Sequence, residues 1–258
     1  MDLGLTDKVA LVTGGSRGLG WAMAASLAAE GARVAICARN QDRLAQAAEK
    51  ISAAGGEVFP VGADVTDVAD RNRLLTAVKE RFGPVDVLVN NVGGNRRGMI
   101  CETTDEDWHS IIDLNLMSHV QLARDVIPSM RERRRGVILF VASIFGREFG
   151  GPGMSIYHTT KSALIGLAKA LALELAPDGI RVNSIAPGSI RFPGGSWDRR
   201  CEEEPEKMAE FIAANIPMGR FGHAHEIGDV VAFLVSDRAA WITGACLNVD
   251  GGQSRSLI

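Results

Sequence analysis

Short runs of apolar, largely β-branched residues recur along the chain, and longer stretches with apolar positions at i, i+3 and i+4 lie between them. The short runs are Val9 to Thr13, Arg33 to Ala38, Val58 to Val61, Val85 to Asn90, Gly136 to Ala142, Arg181 to Ala186 and Ala245 to Val249. Their length and continuity predict strands buried on both faces. The stretches Gly18 to Glu30, Gln41 to Ala53, Asp67 to Arg81, Thr104 to Met130 and Tyr157 to Ala176 have the length and spacing of helices. Strict alternation requires crossover connections, which make the sheet parallel and cover both of its faces with helices. The expected architecture is α/β, a doubly wound parallel sheet of about seven strands. Ligands of such sheets bind beyond the carboxyl ends of the strands, so the residues that follow each strand carry the functional information.

Composition narrows the picture. The 258 residues are 46% hydrophobic with only 9 prolines, and no Ser/Pro-rich or charge-blocked stretch offers a linker, so one domain spanning 1–258 is expected. A net charge of -3 gives no general attraction to nucleic acid or anionic membrane, and neither is an expected partner. The one basic run, Arg131 with Arg133 to Arg135, ends a predicted helix and reads as solvated cations at its negative end. Cys37, Cys101, Cys201 and Cys246 are widely spaced without a CxxC pair, which predicts free thiols in a reducing compartment and no metal site. The N-terminus lacks a signal-peptide pattern, and no apolar run approaches the ~18 residues of a membrane span. A cytoplasmic location is expected.

The first predicted strand runs into Thr13-Gly14-Gly15-Ser16-Arg17-Gly18-Leu19-Gly20, which opens directly into a helix. The spacing is GxxxGxG. Glycines here let the chain turn tightly and the backbone approach a pyrophosphate, while the helix N-terminus offers free N–H groups. A carboxylate about 20 residues further on would hold the adenosine ribose and favour NAD. That place reads Cys37-Ala38-Arg39-Asn40 instead. Arg39 with Arg17 can clamp a 2′-phosphate through charge-assisted hydrogen bonds, which favours NADP(H), with NAD(H) possible if Arg39 is only a solvated loop residue.

The fifth strand delivers Ser143, and 14 residues later Tyr157-His158-Thr159-Thr160-Lys161 opens a helix with Tyr and Lys four apart on one face. An ammonium beside a phenol stabilises the phenolate, and so is expected to bring the Tyr157 pKa down towards the range of a general acid or base. Tyr157 is the single tyrosine of the chain, which sets this pair apart from a chance helical spacing.

With Thr13 to Gly20, Asn90-Asn91-Val92-Gly93, Asn115, Ser143 and Tyr157 to Lys161 in this order, the chain resembles the short-chain dehydrogenases/reductases from about Leu5 to Gly252, and among them the 3-oxoacyl-(acyl-carrier-protein) reductases. The resemblance implies a Rossmann fold. It implies that Tyr157 exchanges the proton, Lys161 binds the nicotinamide ribose and lowers the Tyr pKa, Ser143 positions the carbonyl and Asn115 supports a relay water. It places Asp64 and Val65 by the adenine. Gly14, Ser16, Arg17, Gly18, Leu19, Gly20, Asn91, Gly93, Pro187, Gly188 and Ile190 join the cofactor site. Two positions depart from the family: Val92 stands where alanine is common, and Phe192 where a threonine often contacts the nicotinamide end. Family members are often tetramers, so a homo-oligomer is expected.

The stretch 189–217 has no strand character and contains Phe192, Trp197, Met208, Phe211 and Ile212 among many charges. By analogy it is a substrate lid, although the same aromatics suit a local core equally well. Phe145, Phe149, Met154, Asn95 and Arg96 are expected near the pocket mouth, and Arg96 and Arg97 are candidate contacts for an anionic substrate. All five histidines read as structural. The function that follows is an NADP-preferring ketoreductase acting on a small-molecule carbonyl. The alternatives are an NAD-dependent alcohol dehydrogenase of the same family and, from another class, a nucleotide-binding scaffold without catalysis.

Overall fold

A computed structural model describes residues 2–257. The chain runs β1 (Val9–Thr13), α1 (Gly18–Ala29), β2 (Arg33–Ala38), α2 (Gln41–Ala53), β3 (Val58–Gly62), α3 (Val68–Phe82), β4 (Val87–Asn90). It continues with α4 (Asp105–Ile112), α5 (Ser118–Arg133), β5 (Gly136–Val141), α6 (Ser155–Leu175), β6 (Ile180–Pro187) and β7 (Ile190–Arg191). It ends with α7 (Ser196–Glu203), α8 (Pro205–Asn215), β8 (Gly222–His223), α9 (Ala224–Val235) and β9 (Cys246–Val249). Seven strands form one sheet in the order β3-β2-β1-β4-β5-β6-β9, and every described pairing in it is parallel. The strand order reverses between β1 and β4, which makes the crevice beyond Thr13 and Asn90 the topological switch point.

Alternate residues of β1 divide between two cores, because side chains of a strand point to opposite faces. Ala10 and Val12 pack with Met23, Leu27, Leu44, Ile227 and Val231 of α1, α2 and α9. Val9 and Leu11 pack with Leu74, Val78, Leu122, Val126 and Leu164 of α3, α5 and α6. Truncating such a leucine to alanine in either layer costs about 2–5 kcal/mol. Local signals start the helices: Asn40 accepts from the Arg43 N–H at the head of α2, and Asp67 from the Asp70 N–H at the head of α3.

Three expectations need correction. The single helix expected from Thr104 to Met130 is two, because residues Asp113–Met117 form a π turn between α4 and α5. The π turn carries Asn115 to a fully buried position, where its amide is satisfied by groups outside the helix. The basic run at the end of α5 is not merely solvated. Arg133 donates to the Asp86 carboxylate and, at 2.6 Å, to the Val85 carbonyl, while Arg131 reaches Asp178 at 2.7 Å. Asp86 is only 9% exposed and also accepts from the Val9 N–H, so the cation neutralises a carboxylate that ties β1 to β4. The expected strandless stretch 189–217 holds β7, α7 and α8, and β7 pairs with β8 in a separate two-stranded ribbon. Helix α9 was absent from the expectation altogether, although its Ile227, Val231 and Val235 close one face of the sheet.

Candidate active site

The switch point is held together by Thr13. Its buried hydroxyl accepts from the N–H groups of Asn91 and Val92 at 2.9 and 3.1 Å, and its carbonyl accepts from the Asn91 side chain at 2.8 Å. The loops that follow β1 and β4 are thereby locked side by side. Gly14 has φ +69°, and a Cβ there would meet the Asn91 amide nitrogen at 2.9 Å. A Cβ on Gly20 would run into the Gly14 carbonyl. These glycines bring α1 close against the first turn. No side chain caps α1, so its first N–H groups face the crevice free to receive an anion.

A cavity of about 430 Å³ follows this crevice. Gly14, Ser16, Arg17, Leu19 and Gly20 form one side, Asn91 and Gly93 another, and Arg39, Asp64 and Val65 the far end. Uncapped amides at one end, an apolar Val65 wall and arginines at the other fit a dinucleotide, and no carboxylate follows β2. Asp64 lies 3.9 Å from Arg39 and accepts from the Thr66 hydroxyl at 2.7 Å, so it orients the guanidinium at the cavity edge. Arg43, from the first turn of α2, joins the same wall. Gly18 turns with φ +56°, and a Cβ there would strike the Phe192 ring. Phe192 therefore covers the glycine turn with an aromatic face and lines the cavity where the family often has a threonine.

The chemistry-bearing side chains converge beyond β5. Ser143 follows the strand and is 6% exposed, and its hydroxyl accepts from the Phe145 N–H at 3.2 Å and shares a cavity with Tyr157, whose pKa it pulls down. Helix α6 begins at Ser155, two residues earlier than expected, so Tyr157 sits in its first turn. Lys161 is 4% exposed and donates to the Val141 carbonyl at 2.8 Å, with its Nζ 5.7 Å from the Tyr157 ring centroid. Burial pushes the lysine pKa down to about 8. Burial also raises the Tyr157 pKa above its ordinary value, against the lowering pull of the Ser143 hydrogen bond. The expected depression of the phenol by Lys161 is thus corrected: in the protein by itself, desolvation outweighs the ammonium, which is turned towards Val141.

Asn115 accepts from the Gly94 N–H at 2.8 Å and donates to the Gly94 carbonyl at 2.9 Å and to Thr160 Oγ1 at 3.0 Å. Thr160 in turn donates to the Tyr157 carbonyl, so the π turn is tied to the first turn of α6. His119 Nε2 donates to the Val92 carbonyl at 2.9 Å, and burial, then the Lys161 charge, push its pKa down to about 3. Neutral His119 therefore pins the loop after β4. His158 bonds the Phe145 carbonyl at 2.6 Å and accepts from the Gly150 N–H, which fastens the loop after β5.

A second cavity of about 380 Å³ opens over Ser143 and Tyr157. Phe145, Met154 and Trp197 supply apolar wall, while Asn95, Arg97 and Arg200 supply the polar edge. Pro187 and Gly188 line this cavity and not the dinucleotide one, and Gly18 faces a neighbouring recess beside Phe192. Ile190 lines neither, being 7% exposed within the core. Arg96 is engaged by Asp107 at 3.0 Å, whereas Arg97 reaches the cavity. The aromatics of 189–217 do build a local core, with Trp197 4.8 Å from Phe211 and 5.1 Å from Phe221. Arg43, Thr160, His119 and Arg200 were not singled out as site residues in the sequence, since each reaches its place only through the path of the backbone.

A family model described as enoyl-(acyl carrier protein) reductase matches residues 14–254. The chain belongs to the short-chain dehydrogenase/reductase family. Its curated relatives include the 3-oxoacyl-(acyl-carrier-protein) reductase of Escherichia coli K12, 41% identical over 246 residues that cover 95% of this chain and 97% of that one. The enzyme of the same name from Thermotoga maritima is 38% identical over 251 residues, covering 96% and 98%. Among solved structures, L-sorbose reductase from Gluconobacter frateurii, complexed with NADPH and L-sorbose, matches all of both chains with a TM-score of 0.93 and 36% identity. This short-chain dehydrogenase/reductase is accordingly an NAD(P)-dependent oxidoreductase of carbonyl and alcohol groups, and the scaffold alternative falls. Among the described residues, no helix is long and apolar enough to cross a membrane.

Proposed function

We propose that the enzyme is an NADPH-preferring ketoreductase in which Ser143, Tyr157 and Lys161 perform the proton chemistry. The observation that carries this reading is that Ser143 and Tyr157 line one cavity beyond β5, with buried Lys161 one helical turn from the tyrosine. NADPH, when bound, supplies the hydride that the carbonyl carbon receives. Ser143 donates a hydrogen bond to the substrate oxygen and Tyr157 delivers a proton to it, so ketone, NADPH and one proton become secondary alcohol and NADP⁺. Lys161 holds the nicotinamide ribose and, once its charge is shared with that site, favours the phenolate left behind. Asn115 is a positioning residue: both ends of its amide are held by Gly94 and Thr160, so any support for a relay water comes from the backbone of the π turn.

Arg17, Arg39 and Arg43 at the adenosine end, with no carboxylate after β2, support preference for a 2′-phosphate. Gly14 to Gly20 cradle the pyrophosphate, and Pro187 and Gly188, which line the cavity over Tyr157, meet the nicotinamide end. The segment 189–217 acts as a lid that moves as one piece on its own aromatic core. A homo-oligomer is supported by apolar side chains left exposed just before α5 (Met117), on α6 (Leu173) and in the C-terminal segment (Trp241). A cytoplasmic location is supported by four free cysteines.

The deciding experiment follows nicotinamide fluorescence while the protein is titrated with NADPH and with NADH, then adds ketones, 3-oxoacyl thioesters and keto sugars. Tighter NADPH binding and its oxidation by one of these carbonyls are the expected results. Equal or tighter NADH binding would remove the phosphate-clamp reading, and sedimentation as a monomer would remove the oligomer.

A further inference from the structure

We infer that the substrate carries an anionic group, a carboxylate or phosphate, which Arg97 and Arg200 grip across the mouth of the substrate cavity. The inference rests on the ketoreductase reading of that cavity. Arg97 comes from the loop after β4 and Arg200 from α7, and both line the cavity whose floor is Ser143 and Tyr157. Among the described residues, no acidic side chain lines it with them. Two guanidinium groups in a concave site so lined set up a positive potential that an anionic ligand would neutralise.

The neighbours of these two residues show that the arrangement is selective. Arg96 is spent on Asp107 at 3.0 Å, Arg191 on Asp198 at 2.8 Å and Arg199 on the Gly194 carbonyl at 2.9 Å. Arg97 forms no ion pair or side-chain hydrogen bond among the described residues. Arg200 is held instead by the Trp197 ring, with its Cζ 5.0 Å from the centroid. Stacking fixes the plane of a guanidinium while leaving its N–H groups unspent, and Trp197 is itself fixed against Phe211 and Phe221. A planar fork with free donors matches the two oxygens of a carboxylate or the oxygens of a phosphate. Ile144, Phe145 and Met154 leave an apolar wall for the carbon skeleton between that anion and the reacting carbonyl.

The test uses 4-oxopentanoate against its methyl ester, and dihydroxyacetone phosphate against dihydroxyacetone, so that each pair differs in charge and shares its ketone. Binding to the NADP⁺-loaded enzyme is read by calorimetry and turnover by NADPH oxidation. The charged member of at least one pair is expected to bind about tenfold tighter than its neutral partner. Which pair shows the preference identifies carboxylate or phosphate. R97A and R200A are each expected to erase that preference by raising KM for the charged member of the pair towards that of its neutral partner, while R97K retains part of it. Equal affinities within both pairs, or a preference that survives in R97A and R200A, would overturn the inference. The turnover arm answers separately for the reaction. Neutral ketones reduced as well as charged ones would keep the ketoreductase and remove the anion grip, and charged probes bound without being reduced would do the reverse.

Discussion

The two cavities that share this crevice are built by different means. The dinucleotide side is made from backbone: the glycine turn after β1, the uncapped start of α1 and the Thr13 bonds that clamp it to Asn91 and Val92. The substrate side is made from side chains, contributed by the loops after β4 and β5 and by the segment after β6. A backbone site offers amides and dipoles that every member of a fold can reuse, whereas a side-chain site changes with each substitution. The comparison therefore predicts that damage to the first is steric and general, and damage to the second chemical and selective.

The largest expected effect sharpens this division. Tyr157→Phe keeps the ring that packs in the first turn of α6 and removes only the proposed proton carrier, so kcat should fall by about 10³-fold, within the usual span of a general acid. NADPH affinity should stay within about twofold. A loss of cofactor binding of the same size in the fluorescence titration would mean that the two sides are not separable in this way.

Lys161 lies on the seam and makes the next prediction. Its folded pKa, about 8, is below the ordinary value of 10.5, so between these values the unfolded chain binds more protons. Stability must then rise with pH across that window, by up to about 3 kcal/mol from 2.5 units at about 1.4 each. Tyr157, shifted the other way, begins to oppose the gain above pH 10. Chemical denaturation of the protein without cofactor at pH 8 and pH 10, set against Lys161→Met, isolates the effect. A difference between the two proteins that does not change with pH would show that Lys161 is not desolvated as described.

On the backbone side, Gly20→Ala places a Cβ against the Gly14 carbonyl and within 2.6 Å of the Asn91 amide. The loop has to open, at the about 1–3 kcal/mol typical of overpacking, and NADPH and NADH should both weaken by about 10-fold or more. Loss of one cofactor alone would break the claim that this loop works without reading the ribose.

The same contrast explains what was legible in the sequence. Strands buried on both faces advertise themselves as apolar runs, and Gly14 to Gly20, Ser143, Tyr157 and Lys161 follow such strands or open the next helix, so spacing, position and the single tyrosine of the chain together point to them. The π turn at Asn115 was hidden because its cause is tertiary: the amide is paid back by Gly94 and Thr160, neither of which is near in sequence. Helix α9 escaped because its apolar run resembles a strand in length. Arg133 and Arg97 each adjoin another arginine in sequence, yet one is held by Asp86 and the other lines a cavity. Only the path of the chain separates a structural arginine from one with a ligand to meet.

The smallest predicted effect tests the edge where side chains do enter the dinucleotide side. Arg39 is 73% exposed on its side chain and 3.9 Å from Asp64, so water screens it and its contribution is modest. Arg39→Ala should weaken NADPH by about tenfold and leave NADH unchanged if the guanidinium meets only the 2′-phosphate, as proposed. Arg43 lines the same wall and should share the load, so the double variant Arg39→Ala/Arg43→Ala is expected to bring the two cofactors to equal affinity. Were NADH to weaken in step with NADPH, the arginines would be supporting the loop itself. The adenosine end would then belong with the backbone-built region rather than with the selective one.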